Sequence, residues 1–280
     1  MMKYIASIST QWASIFSLLF ASAAIQAETV HISHCMGACP VSNANSLNDD
    51  SIEIVVRHLF AAAVNKNNGQ AQWLAYKVMP DSVGVASLLP RRWLLDRLMT
   101  ASSQLEAEAE GGLRVIEPEF LNEEENSYLT SEIQFDSDDR GRLVPMSSFA
   151  GTPYWDELNY LSNMAPLPEF LRLGSWSRLD MAVNEYSQRG VEVFVVSGPI
   201  MAADAGSGLS LPPQAYFKLI SNMDSYSAFI FREDTAQHAE YCEQRVTIEE
   251  LERRTGLQFF PDMQVPSPQG LGEEIVCDSF

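Results

Sequence analysis

Residues 167–199 read LPEFLRLGSWSRLDMAVNEYSQRGVEVFVVSGP. Apolar side chains recur at Phe170, Leu171, Leu173, Trp176, Leu179, Met181, Ala182 and Tyr186. That is close to the period of a helix with one buried face. Gly190 supplies the residue type that most readily turns left-handed just past a helix end. Residues 191–196, VEVFVV, are β-branched and aromatic and predict a buried strand, turned by Ser197, Gly198 and Pro199. A helix over 167–189 running into a buried strand is the anchor from which the rest is read.

Outward from it, residues 52–56, 73–78, 215–220 and 226–231 predict further strands. Thr247 followed by Glu250 is a capping box, opening a short helix that stops at Gly256. Residues 28–50 are polar and loop-like. Residues 101–128 carry Glu106, Glu108, Glu110, Glu117, Glu119, Glu123, Glu124 and Glu125 and read as a solvated insertion. Strands and helices alternate without a βαβ rhythm, which favours an α+β domain. No Pro/Ser-rich linker divides it.

The N-terminus is a targeting segment. Lys3 precedes a mostly apolar stretch centred on residues 15–21, and Ala23, Ala24 and Ala27 supply small residues at its end. This predicts a signal peptide over residues 1–27 and a single domain over 28–280. The apolar run is shorter than the ~20 residues a membrane span needs. No later segment is long and apolar enough either, so the mature form is expected off the membrane, in the periplasm or secreted. Four cysteines, Cys35, Cys39, Cys242 and Cys277, lie in the mature part. An even count in an exported chain suggests disulfides. The sequence-local pairs are Cys35–Cys39 and Cys242–Cys277, among three pairings the count allows. Neither pair is a CxxC, and the two lie at opposite ends, which argues against zinc.

The whole chain has a net charge of −19 from 18 Lys and Arg and 37 Asp and Glu. Removing residues 1–27 removes Lys3 and no acid, giving 17 − 37 = −20. Such a surface repels phosphate backbones at long range. Any nucleic-acid binding must come from a local cationic cleft.

Asp139-Arg140-Gly141-Arg142-Leu143-Val144-Pro145 resembles the DRGH-x-x-P signature of the DNA/RNA non-specific endonucleases. Residues 158–166, LNYLSNMAP, resemble that family's NYLSNxxPQ segment, and 174–180, GSWSRLD, its G-x-W-x-x-LE helix. Residues 195–199, VVSGP, resemble its VxTGP strand end, and 245–257, RVTIEELERRTGL, its RVTVDEIEKRTGL segment. The cysteine spacing is similar as well. The resemblance covers roughly residues 30–260, in order. It implies a ββα-metal nuclease fold: a central antiparallel sheet flanked by helices, carrying an active-site hairpin and helix.

Phosphodiester hydrolysis needs an activated water, neutralised phosphate oxygens and a stabilised leaving alkoxide. The resemblance implies a histidine closing DRGH as base, one Mg²⁺ held by an Asn, a Glu supporting the hydrated ion, and arginines on the phosphate. The histidine position is Arg142, and a guanidinium, with a pKa above about 12, offers no acceptor for a proton. The Asn position is Arg172, which cannot ligate Mg²⁺. The Gln of the PQ pair is Leu167, and the Glu is Asp180. Asp139, Arg140, Gly141, Pro145 and Asn163 match the family pattern, and Arg91 matches its other phosphate-binding arginine. His31, His34, His58 and His238 are the mature chain's histidines, none near the DRG motif in sequence.

The expectation is a pseudo-nuclease without a metal cofactor. Arg142, Arg172, Arg140 and Arg91 would form an anion site for phosphate or nucleic acid, with Asn163 beside them and Asp180 paired to one of the arginines. An active Mg²⁺ nuclease with an altered centre and a non-catalytic scaffold are the alternatives. A homodimer is implied by the family.

Overall fold

The computed structural model describes residues 32–42, 51–66, 69–91, 94, 96–100, 140–201, 213–261, 263–271 and 275. The signal-peptide reading, the acidic insertion, His31, Asp139 and Cys277 lie outside the described residues.

The strands are β1 (Val41–Ser42), β2 (Ile52–Val56), β3 (Ala61–Asn65), β4 (Ala71–Val78), β5 (Arg140–Arg142), β6 (Met164–Pro166), β7 (Val193–Ile200), β8 (Ala215–Ser221), β9 (Tyr226–Arg232), β10 (Arg245–Val246) and β11 (Leu257–Gln258). The helices are α1 (Glu169–Leu173), α2 (Ser175–Ser187) and α3 (Ile248–Thr255). Among the described residues seven strands form one sheet in the order β10-β9-β8-β7-β4-β3-β2. Every neighbouring pair in it is antiparallel. Two small ribbons, β1–β11 and β5–β6, lie outside it. No helix among the described residues is long and apolar enough to cross a membrane.

Strand alternation sends side chains to two cores, one on each face of the sheet. Leu74, Tyr76 and Val78 of β4, with Phe229 and Phe231 of β9, join Trp176, Leu179 and Val183 of α2. Trp73 and Ala75 of β4, with Ala228 and Ile230 of β9, join Ile248 and Leu251 of α3. Both faces are covered, so β8 is buried along its whole length.

Two expectations need correction, and β3 was not anticipated. The helix over 167–189 is broken at Gly174 into α1 and α2. A Cβ there would lie 2.4 Å from the Gln237 carbonyl oxygen and 2.5 Å from that of Phe170, so the 237 loop seats directly on the break. Arg178 holds the same loop by donating to the carbonyls of Gln237 and Ala239. Next, β7 does not turn at Ser197-Gly198-Pro199 but runs to Ile200, because Ser197 to Ile200 keep their ladder partners on β8. Last, β3 reads AAAVN. Alanine is depleted in strands, so this element carried no strand signal and is made by burial between β2 and β4.

Of the capping box the N-cap half forms: Thr247 accepts from the Glu250 N–H at 3.2 Å, while the Glu250 carboxylate accepts from Arg253, and Gly256 closes α3 with φ 68°. Cys35 and Cys39 are joined in a disulfide. Cys242 is disulfide-bonded too.

Candidate active site

The DRG stretch enters the described structure at Arg140 as β5, paired with β6. Arg140 lies opposite Pro166, Gly141 opposite Ala165 and Arg142 opposite Met164. Gly141 has no room for a side chain, since a Cβ would lie 2.6 Å from Leu167 Cβ. Leu167, where the family pattern has Gln, is fully buried. The helix α1 that follows packs against β5.

Asn163 ties this hairpin together. It is fully buried. Its Oδ1 accepts from the Val144 N–H at 2.8 Å, and its Nδ2 donates to the carbonyls of Val144 (3.1 Å) and Leu158 (3.0 Å). Its carbonyl accepts from the Leu143 N–H. Both amide donors are committed to backbone, so in this structure Asn163 fastens the hairpin. Pro145 sits half-buried at the start of the next turn.

Arg142 is half-buried, and its guanidinium is turned onto the 3-10 turn Trp155–Asn159. Nε donates to the Leu158 carbonyl at 3.2 Å and Nη2 to Asn159 Oδ1 at 2.7 Å. Asn159, itself fully buried, donates onward to Asp156 Oδ1 at 2.9 Å. Its amide also lies 3.5 Å from the Pro90 carbonyl, and Leu94 bridges Tyr160. The segment carrying exposed Arg91 therefore runs along the same turn. Arg172 is half-buried on the last turn of α1. Of Arg140 only the backbone is described.

Among the described residues the partner of Asp180 is a lysine, not an arginine. Asp180 lies in the core between α2 and the sheet, in an ion pair with Lys218 of β8. Lys218 is fully buried, and Asp180 is 7% exposed. The Lys218 Nζ also lies 4.0 Å above the Trp176 ring. Burial pushes the Asp180 carboxyl up and the Lys218 ammonium down, and their mutual attraction opposes both shifts.

Two histidines lie close to this region. His58 stacks on Tyr154 with ring centroids 4.0 Å apart, and its Nδ1 is 2.7 Å from Glu157 Oε1. It thus sits on the turn that also holds Arg142. His34 Nε2 lies 2.8 Å from the Arg57 carbonyl. His238 is exposed on the 237 loop. Asn159 and Lys218 were given no role in the sequence reading. A single lysine inside the apolar run AYFKLI was the available signal for Lys218.

The residues present do not fit the Mg²⁺ that the family resemblance implies. Mg²⁺ takes neutral or anionic oxygens. The two positions that would supply the base and the oxygen ligand are guanidinium groups, and the supporting carboxylate is held by a lysine. Among the described residues no group of three or more His, Cys, Asp or Glu is placed to hold a metal.

The comparisons agree on family and fold. The sequence profile of the DNA/RNA non-specific endonucleases matches residues 41–265. A nuclease of Serratia marcescens is 30% identical over 259 residues, covering 87% of this chain and 86% of that protein. The mitochondrial nuclease EXOG of Danio rerio is 28% identical over 170 residues, covering 52% of this chain and 48% of its own. The crystal structure of the EndoG/EndoGI complex, which concerns EndoG inhibition, shares the fold with a TM-score of 0.54. It is 18% identical over 75% of this chain and 86% of that one. The profile and the Serratia relative each span most of the chain, and on that ground it belongs to the DNA/RNA non-specific endonuclease family.

Proposed function

We propose that this chain is an exported, catalytically impaired member of its family, a single domain behind a signal peptide, which binds phosphate-bearing ligands without hydrolysing them. One observation carries the reading: at the position of the family's water-activating histidine stands a guanidinium, fixed by the Leu158 carbonyl and Asn159 Oδ1. It has no lone pair with which to take a proton. Loss of a general base alone costs about 10²–10⁴ in rate. The carboxylate and amide oxygens that would hold Mg²⁺ are absent or engaged elsewhere, so the ion cannot compensate.

Positive charge at Arg142 and Arg172, with Arg140 and Arg91, supports a metal-independent anion site, because guanidinium groups suit phosphate oxygens. The overall acidity favours short or isolated phosphates over long polyanions.

The test is a plasmid-nicking assay on purified mature protein with Mg²⁺ or Mn²⁺, beside oligonucleotide binding in EDTA. The expected outcome is no nicking, together with binding that weakens with salt and falls in Arg140→Ala. Metal-dependent nicking that Arg142→Ala abolishes would overturn the reading. Absence of binding at low salt would leave the fold as a scaffold only.

A further inference from the structure

The hairpin between β2 and β3 turns at His58 and Leu59, closed by the Arg57 N–H donating to the Phe60 carbonyl at 2.8 Å. Leu59 is buried at its tip, and His58 is exposed. The tip is fastened to residues 154–160. The Arg57 guanidinium lies 3.6 Å from the centroid of the Tyr160 ring and pairs with fully buried Asp96. One carboxylate clamps His58 at two points: Glu157 Oε2 accepts from its backbone N–H at 2.9 Å, and Oε1 lies 2.7 Å from Nδ1. Tyr154 covers one face of the imidazole, its ring plane 2° from parallel. The His58 side chain is nevertheless 61% exposed. A flat ring that has lost one face to a neighbour keeps that much exposure only if its opposite face is open to water.

A rigid aromatic ring facing water is a stacking surface, since every nucleobase has a π-face to lay on it. Its place beside the arginines names the ligand. Glu157 holds His58, and the next two residues, Leu158 and Asn159, hold Arg142. Consecutive Cα atoms are about 3.8 Å apart, so the anchor points of imidazole and guanidinium lie within about 8 Å of each other. That is the scale of one nucleotide. We infer that the open face of His58, backed by Tyr154, is a base-stacking site, and that the ligand of the arginine cleft is a nucleotide whose base lies on it. The nucleotide as ligand rests on the anion-site reading; the stacking surface does not. Stacking reads no hydrogen-bond pattern, so the site accepts any base.

The C2–H resonances of the histidines read the site directly. The chain carries four histidines, and the His58 signal is the one lost in His58→Gln. Titration with adenosine 5′-monophosphate in EDTA should move it upfield, because an adenine ring stacked over the imidazole shields that proton. Adenosine, which lacks the phosphate, should give the same shift at higher concentration, and ribose 5-phosphate, which lacks the base, none. Arg140→Ala should weaken the monophosphate about tenfold and leave adenosine unchanged. Tyr154→Ala, which removes the backing ring, should weaken both about threefold or more, and Tyr154→Phe should restore them. Absence of an upfield shift with both adenosine and its monophosphate overturns the inference, as does an equal shift with ribose 5-phosphate. Equal affinity for adenosine and its monophosphate, untouched by Arg140→Ala, keeps the stacking site and overturns the anion site instead.

Discussion

Asn163 shows how a residue can be legible in sequence while its role is not. The resemblance marked its position, and its amide donors, taken by the Val144 and Leu158 carbonyls, make it a fastener of the hairpin. Asn163→Ala strands the buried N–H and carbonyl of Val144, leaves the Leu158 carbonyl to Arg142 alone, and is expected to lower stability by about 3 kcal/mol, read as a urea midpoint shift at unchanged slope. Arg142 and Arg172 were legible because a substituted motif letter needs no coordinates to be noticed. Lys218 was not, since nothing local announces that a lysine in a buried strand has a partner on a helix 38 positions away. His34 offers a pH test. Burial holds its imidazole below the ordinary 6.5, against a smaller opposing effect of its contact with the Arg57 carbonyl. The unfolded chain therefore binds the proton more readily than the folded one. Stability is full above about pH 6.5 and falls as pH drops through the lowered folded value. Denaturation midpoints from pH 7.5 to 5 should fall less steeply in His34→Gln than in the parent.

Helix and strand limits were legible wherever local chemistry sets them. The Thr247 cap and the left-handed Gly256 bound α3 on both sides as the sequence suggests, and Thr247→Ala should cost about 1 kcal/mol. The break at Gly174 was not legible, because its cause is the 237 loop, distant in sequence and pressed against the glycine. Gly174→Ala should destabilise by about 2 kcal/mol through that overlap, visible as a lowered thermal midpoint. The break matters for the site: Arg172 ends α1, whereas Trp176 and Asp180 belong to α2 and turn into the core. A continuous helix would have suggested one shared face. Elements of three residues or fewer, β5 and β6 among them, gave no period to detect, and register alone defines them.

The α+β class could be read from the scatter of strands and helices, but the strand order could not, because it depends on which distant segments meet. The middle of the sheet is β4 against β7, with Leu74 opposite Ser197 and Val78 opposite Val193. The Arg142 hairpin and both helices of the 169–187 region lie between them in sequence and outside that seam. As the chain emerges N-terminus first, β2, β3 and β4 can pair among themselves early, while the outer rim of β4 stays bare until β7 arrives. A bare strand rim is a template for a second chain, and pairing over such long separations makes nucleation slow. The molecule should therefore recover from urea over about seconds or longer and lose yield to aggregation as protein concentration rises, far more than a helical protein of its size.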